Sequence, residues 1–156
     1  MSASPGFASR LFVSGMVSFV LIGVLGAAYG VALPAFARLH DLGPASASLI
    51  LTVHSTGGVL AVLAATAGVP GLGTRTALAL MALGAAVIAL APAWPLTLAG
   101  GFVAGAGFGL IATHVNRMFL TGFGPRGPGM VGLVNAVSGV GLIAGPLVFL
   151  WVGGVP

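Results

Sequence analysis

Five arginines and one aspartate are the only formally charged side chains in this chain of 156 residues, and they stand between or at the ends of five long apolar runs. The runs cover residues 11–33, 45–67, 76–90, 95–120 and 130–152. Most have the length of about 20 residues that a tilted helix needs to cross a hydrocarbon core. Composition points the same way, because 58% of the residues are hydrophobic and 4% are charged. A water-soluble surface needs roughly a quarter of its residues charged. These observations predict an all-α polytopic membrane protein, a single transmembrane domain over residues 1–156 with five transmembrane helices and the lipid bilayer as its solvent.

The charges also predict an orientation. Threading the runs alternately puts Arg10, Arg75, Arg117 and Arg126 on one side and Arg38 with Asp41 on the other. Arginine collects on the cytoplasmic side of membrane helices. The expectation is therefore a multi-pass protein of the cell membrane, N-terminus cytoplasmic and C-terminus outside. The net charge of +4 comes from arginines scattered singly. Nucleic-acid binding needs them gathered into a patch, so no nucleic-acid partner is expected. The first run is long for the core of a signal peptide and no small-residue cleavage site ends it early, so it reads as a retained helix. Five spans and short links occupy the whole length, leaving no room for a separate soluble domain.

Chemistry inside the spans is sparse. There is no cysteine, and no aspartate or glutamate lies within a run. His54 and His114 fall on different helices without a carboxylate or thiol nearby, so no metal site is expected. Neither a nucleophile–base pair nor a phosphate loop is present, and the chain reads as neither an enzyme nor a cofactor carrier. Any proton coupling would fall to His54, His114 or a partner.

Helix ends carry their usual signals. Pro34 is expected to close the first helix, and a polar link of residues 38–44 leads to Ser46 and Ser48. Residues 68–73 end the second helix, and Pro92 and Pro95 make a tight turn around Trp94, an aromatic suited to a membrane interface. Residues 122–129 read as the longest loop, cytoplasmic and partly mobile, with Arg126 at its centre.

Glycine is placed at helical spacing as well as in links. Gly26 and Gly30, Gly101, Gly105 and Gly109, and Gly141 and Gly145 each repeat at i, i+4. Small residues so spaced let helix backbones approach closely in lipid. At 100° per residue, Asn116 lies on the seam of Gly101, Gly105, Gly109 and Ala112. His114 and Arg117 lie roughly opposite, with Val103, Gly107 and Leu110. His54 shares its face with Gly58, Ala61 and Ala65 and so points at a neighbouring helix. Asn135 with Ser138, and Ser18 with Tyr29, make two further polar seams. Each polar residue can either line a cavity or join helices by hydrogen bonds. The substrate-cavity candidates are Ser18, Tyr29, His114 and Arg117; His54, Asn116, Asn135 and Ser138 are the helix-interface candidates.

In the fifth run Gly132, Gly141, Gly145 and Pro146 reproduce the spacing g-x8-G-x3-G-P of the fifth helix of many major facilitator superfamily transporters, with Phe149 and Leu150 where that motif closes on Gly-Gly. Gly73-Thr74-Arg75 is similar to the ending of the family's loop between helices two and three, with Pro70 in place of its aspartate. Gly105-Ala106-Gly107-Phe108-Gly109 is similar to its fourth-helix glycine run, where Gly100 and Gly101 replace an arginine. The chain thus resembles an incomplete facilitator-type N-terminal bundle, five of its six helices. The resemblance implies that helices one and four border a substrate cavity and that two and five meet the other half. Gly132, Gly141, Gly145 and Pro146 would pack and kink the fifth helix. It implies transport of a small-molecule solute, as a fragment or as a subunit needing a second copy or a missing C-terminal half. The rival expectation is a non-transporting accessory or assembly subunit of a membrane complex.

The orientation is tested by single cysteines in this cysteine-free background. Leu42→Cys should label with an impermeant thiol reagent from outside and Pro125→Cys only from inside; the reverse pattern would contradict the arginine argument.

Overall fold

The computed structural model describes residues 5–153. Among them run five α-helices and no strand: α1 (Pro5–Leu39), α2 (Pro44–Thr66), α3 (Thr74–Leu90), α4 (Trp94–Gly122) and α5 (Gly127–Gly153), with a 3-10 turn at Gly124–Arg126. The fold is all-α. Helices α1, α2, α4 and α5 are each long and apolar enough to span a membrane, and α3 is shorter at 17 residues. At the usual rise α3 measures about 25 Å, the lower end of what a span requires.

Pro34 does not close the first helix, which continues to Leu39. A proline inside a helix loses one hydrogen bond and crowds the carbonyl four residues back. That residue is Gly30, which has open space around it. The segment beyond Pro34 is also held by tertiary contacts, for the Trp94 ring lies 5.9 Å from Phe36 and 5.6 Å from His40. Its end is a Schellman turn. The Leu42 amide donates to the Ala37 carbonyl at 2.9 Å, and Asp41 takes the left-handed conformation at φ 51°. Helix α2 ends in the same way around Gly68, at φ 79°, with Val69 donating to the Ala64 carbonyl at 3.1 Å.

The expected long loop at 122–129 is also corrected. Helix α4 runs to Gly122 and α5 already starts at Gly127, so most of the glycine- and proline-rich stretch is folded. Proline is tolerated in the first turn of a helix, where its missing N–H has no partner to lose. Pro125 and Pro128 occupy such positions, and the buried Gly127 lies against the Leu120 backbone.

The chain divides into two compact units, one within Ala32–His114 and one formed by the described parts of Met1–Val31 and Val115–Pro156. In the first unit α4 is the hub. Gly101 meets the Ile50 side chain, Gly105 meets the His54 backbone and Gly109 meets Gly58, so one face of α4 lies against α2. Gly57 of α2 returns the contact against the Phe102 carbonyl. The neighbouring face lies against α3, where Gly84 meets Gly100 and Ala104, and Gly107 meets Ala77 and Met81. A Cβ at Gly57, Gly84, Gly100, Gly101, Gly105, Gly107 or Gly109 would stand closer to its neighbours than packed atoms allow. Ile50, Ala77, Ala104 and Leu110 are fully buried around these seams.

In the second unit α1 and α5 meet through Gly23 and Gly141, each against the other's backbone, and Gly145 continues the seam against Val24 and Ala27. The α1 seam therefore runs through Gly23, not through Gly26 and Gly30. Gly26 touches only the end of Leu142, and Gly30 touches nothing within 4 Å. Gly132 likewise is exposed with open space around it and packs on nothing among the described residues. Pro146 sits inside α5, which continues past it. Phe119, fully buried, fills the space left by Gly15.

The outer surfaces suit lipid. On α5, Val140, Ile143, Leu147 and Val148 are all more than half exposed. Six hydroxyls inside the spans are satisfied by their own helices: Ser14, Ser18, Thr56, Thr66, Thr113 and Ser138 each donate to a carbonyl three or four residues back. That is the arrangement a medium without water demands.

Two pairs of substitutions test these contacts. Gly105→Leu and Gly107→Leu should each destabilise the chain in detergent by at least about 1–3 kcal/mol, because overpacking separates backbones that must touch. Gly30→Ala and Gly132→Ala should leave the thermal aggregation temperature unchanged. Equal effects in both pairs would contradict the assignment of the seams.

Candidate functional site

The polar residues of the spans sort into three groups. The first lies on α2 and the face of α4 opposite it. The His54 ring, half-buried, meets Phe108 edge-on at 5.4 Å and has the Gly101 backbone as a hydrogen-bond partner. His54 therefore sits at the α2–α4 interface, and its own backbone is what Gly105 packs against. On the outer side of α2 an open groove of about 530 Å³ is lined by Leu51, Thr52, Ser55, Thr56, Val59 and Leu60.

The second group surrounds His114. Its Nε2 is bonded to the Leu72 carbonyl in the turn that leads into α3. Gly107 and Leu110, which share its face of α4, are packed, with Gly107 against α3 and Leu110 fully buried. The sequence predicts a polar face here, free to border a cavity; in the structure it is a second packing face. Periodicity places residues on a face without saying what covers it, which is why this contact escapes a reading of the sequence. His114 ties the α2–α3 turn to α4. At the far end of α4, Thr97 is buried and its Oγ1 lies 3.4 Å from the His40 Nε2, beside Trp94.

The third group belongs to the unit of α1, α5 and the end of α4. Asn135 Nδ2 donates to Asn116 Oδ1 at 2.9 Å and to the Val131 carbonyl at 2.8 Å. Two residues assigned separately to helix interfaces are thus joined, α4 to α5. Ser138 donates its hydroxyl to the Asn135 carbonyl at 2.6 Å, so it stabilises its own helix and carries no bond to a neighbour. Ser18 does the same toward Ser14 at 2.8 Å. Tyr29 is buried, at 4% exposure. Arg117, next to Asn116, is exposed.

Among the described residues no group of three histidines, cysteines or carboxylates comes together as metal ligands would. The arrangement offers hydrogen-bond donors and acceptors and, at Arg117, a cation. The fold and these groups define a helical bundle built for a membrane, with a small polar cluster at α4–α5. Comparison with protein-family models, curated proteins and solved structures finds no match to this chain.

The bond from His114 predicts a local effect. His114→Ala should raise amide hydrogen exchange across residues 69–73 by roughly two- to tenfold, the loss of one hydrogen bond, and leave residues 91–93 unchanged. Unchanged exchange in the turn would contradict the tie.

Proposed function

We propose that this chain is a facilitator-type transport component, or half of one, that moves a small solute across the cell membrane. It lies with its N-terminus in the cytoplasm and works with a second copy or a C-terminal half. The observation that carries this reading is the α5 seam. Gly141 and Gly145, spaced as in the transporter motif, lie against the backbone of α1, and Pro146 follows within an unbroken helix. Glycine keeps all but a few side chains, such as Leu142 and Ala27, out of the α1–α5 seam, the kind of packed interface along which helices can slide by small shear. A proline inside a span leaves a carbonyl without its helical partner, a local weakness where bending concentrates.

In this reading solute passes beside α1 and α4, and Arg117 supplies hydrogen-bond donors near the cytoplasmic end. Ser18 contributes an oxygen that can still accept, since its hydrogen is used within α1. Tyr29 would be reached only when α1 moves, because it is buried in this conformation. His114 acts through the α2–α3 turn.

The rival reading, an accessory subunit of a membrane complex, draws on the same seams and on the hydroxyls satisfied within their own helices. Flux separates the two. Lipid vesicles carrying the purified protein should release at least one labelled solute, from a panel of polyols, sugars and small carboxylates, faster than empty vesicles. Arg117→Ala should slow that release about tenfold or more, corresponding to one charge-assisted hydrogen bond of about 1.5–3 kcal/mol. Release no faster than from empty vesicles would favour the accessory subunit.

A further inference from the structure

The Asn116–Asn135 pair is bonded in a way that leaves half of its capacity unused. Asn135 Nδ2 has two hydrogens, and both are engaged, one by Asn116 Oδ1 and one by the Val131 carbonyl. The second bond fixes which end of the Asn135 amide is nitrogen, because only nitrogen can donate to a carbonyl. What remains is Asn135 Oδ1, a free acceptor on α5, and Asn116 Nδ2, a free donor on α4. No buried side-chain nitrogen or oxygen among the described residues lacks a partner, so the unpartnered Asn116 Nδ2 reaches the surface. Asn135 is itself exposed.

An open donor and an open acceptor side by side cannot face hydrocarbon without a large desolvation penalty. Asn116 stands about 9 Å from the end of α4 and Asn135 about 12 Å from the start of α5, counted at the helical rise. A carboxamide has no long stem with which to reach the headgroups, as an arginine has. Ser14, Ser18, Thr56, Thr66, Thr113 and Ser138 satisfy their donors within their own helices, and this pair does not. Its unused groups therefore face water or a polar ligand.

We infer that the Asn116 Nδ2 and Asn135 Oδ1 groups form a solute-contact site for a neutral molecule bearing a hydroxyl or amide group. Such a group donates and accepts at once and so satisfies both. A carboxylate would meet the lone pairs of Asn135 Oδ1, and a cation would meet the hydrogens of Asn116 Nδ2. The inference deepens the transport reading and rests on it for the fate of the solute; contact with the solute is measured without flux.

The test places a reporter beside the pair and keeps both amides. Gly139 lies one turn beyond Asn135, with open space where a side chain would stand. Gly139→Cys should react with a water-soluble methanethiosulfonate far faster than Val140→Cys on the apolar outer face. Glycerol, glucose or acetamide should slow that reaction, and choline or glutamate at equal concentration should not. Asn116→Ala should raise the protecting concentration by about two- to tenfold, the change expected for one or two neutral hydrogen bonds. If that variant fails to fold, Asn135→Gln should produce the same shift. An inert thiol in the Gly139→Cys protein would overturn the inference by showing the pair covered by lipid or by another helix. A reactive thiol there, protected by none of the neutral solutes, protected only by the charged ones, or protected equally in the asparagine variants, would also overturn it. Protection without vesicle flux would leave the contact site standing and remove the transport reading alone.

Discussion

Backbone contact at glycine is the constraint on which the rest of the structure depends. In lipid, apolar side chains gain nothing by leaving their surroundings for one another, so helices associate through close packing and polar bonds. This chain meets that condition by removing side chains where helices touch. Gly57 and Gly58 on α2, Gly84 on α3 and Gly100, Gly101, Gly105, Gly107 and Gly109 on α4 bring three helices together in one unit. Gly15, Gly23, Gly141 and Gly145 do the same for α1, α5 and the end of α4 in the other. Large apolar residues, freed from holding the helices together, cover the outside. Trp151 at 87% exposure and Ile143 at 71% would be liabilities in water and are ordinary against lipid.

The same arrangement limits where polar chemistry can act. A seam of backbone against backbone has no room for a ligand, and hydroxyls bonded to their own helix have no donor left. His54 and His114, the two histidines within the spans, are both engaged in protein contacts, at Phe108 and at the Leu72 carbonyl. Arg117 and the outward halves of two asparagines are still open to a visitor. The case for solute recognition therefore rests on the end of α4 and the start of α5.

Much of this is legible from the residues. The apolar runs match the helices to within a few residues at most ends, and the i, i+4 glycines of α4 and the later α5 glycines prove to be contacts. His54 is correctly aimed at a neighbouring helix by its company of Gly58 and Ala61. What is not legible depends on tertiary context. Pro34 is a strong local stop signal, overridden by the packing of Phe36 and His40 on Trp94. Gly26, Gly30 and Gly132 have the spacing of packing residues, but spacing alone cannot show whether a partner is present. The face of α4 carrying Gly107 and His114 reads as polar because its periodicity cannot show α3 lying on it. The loop at 122–129 reads as long because glycine and proline favour turns, although proline is equally at home in the first turn of a helix.

The central claim, helices joined by glycine backbones in a bilayer, is tested most directly by solid-state NMR of the protein in lipid with 13Cα-labelled glycine. The account predicts through-space cross-peaks between the α-carbons of Gly58 and Gly109 and between those of Gly23 and Gly141, where the backbones lie in contact. Resolved glycine signals without either cross-peak, under conditions that show sequential contacts, would contradict it.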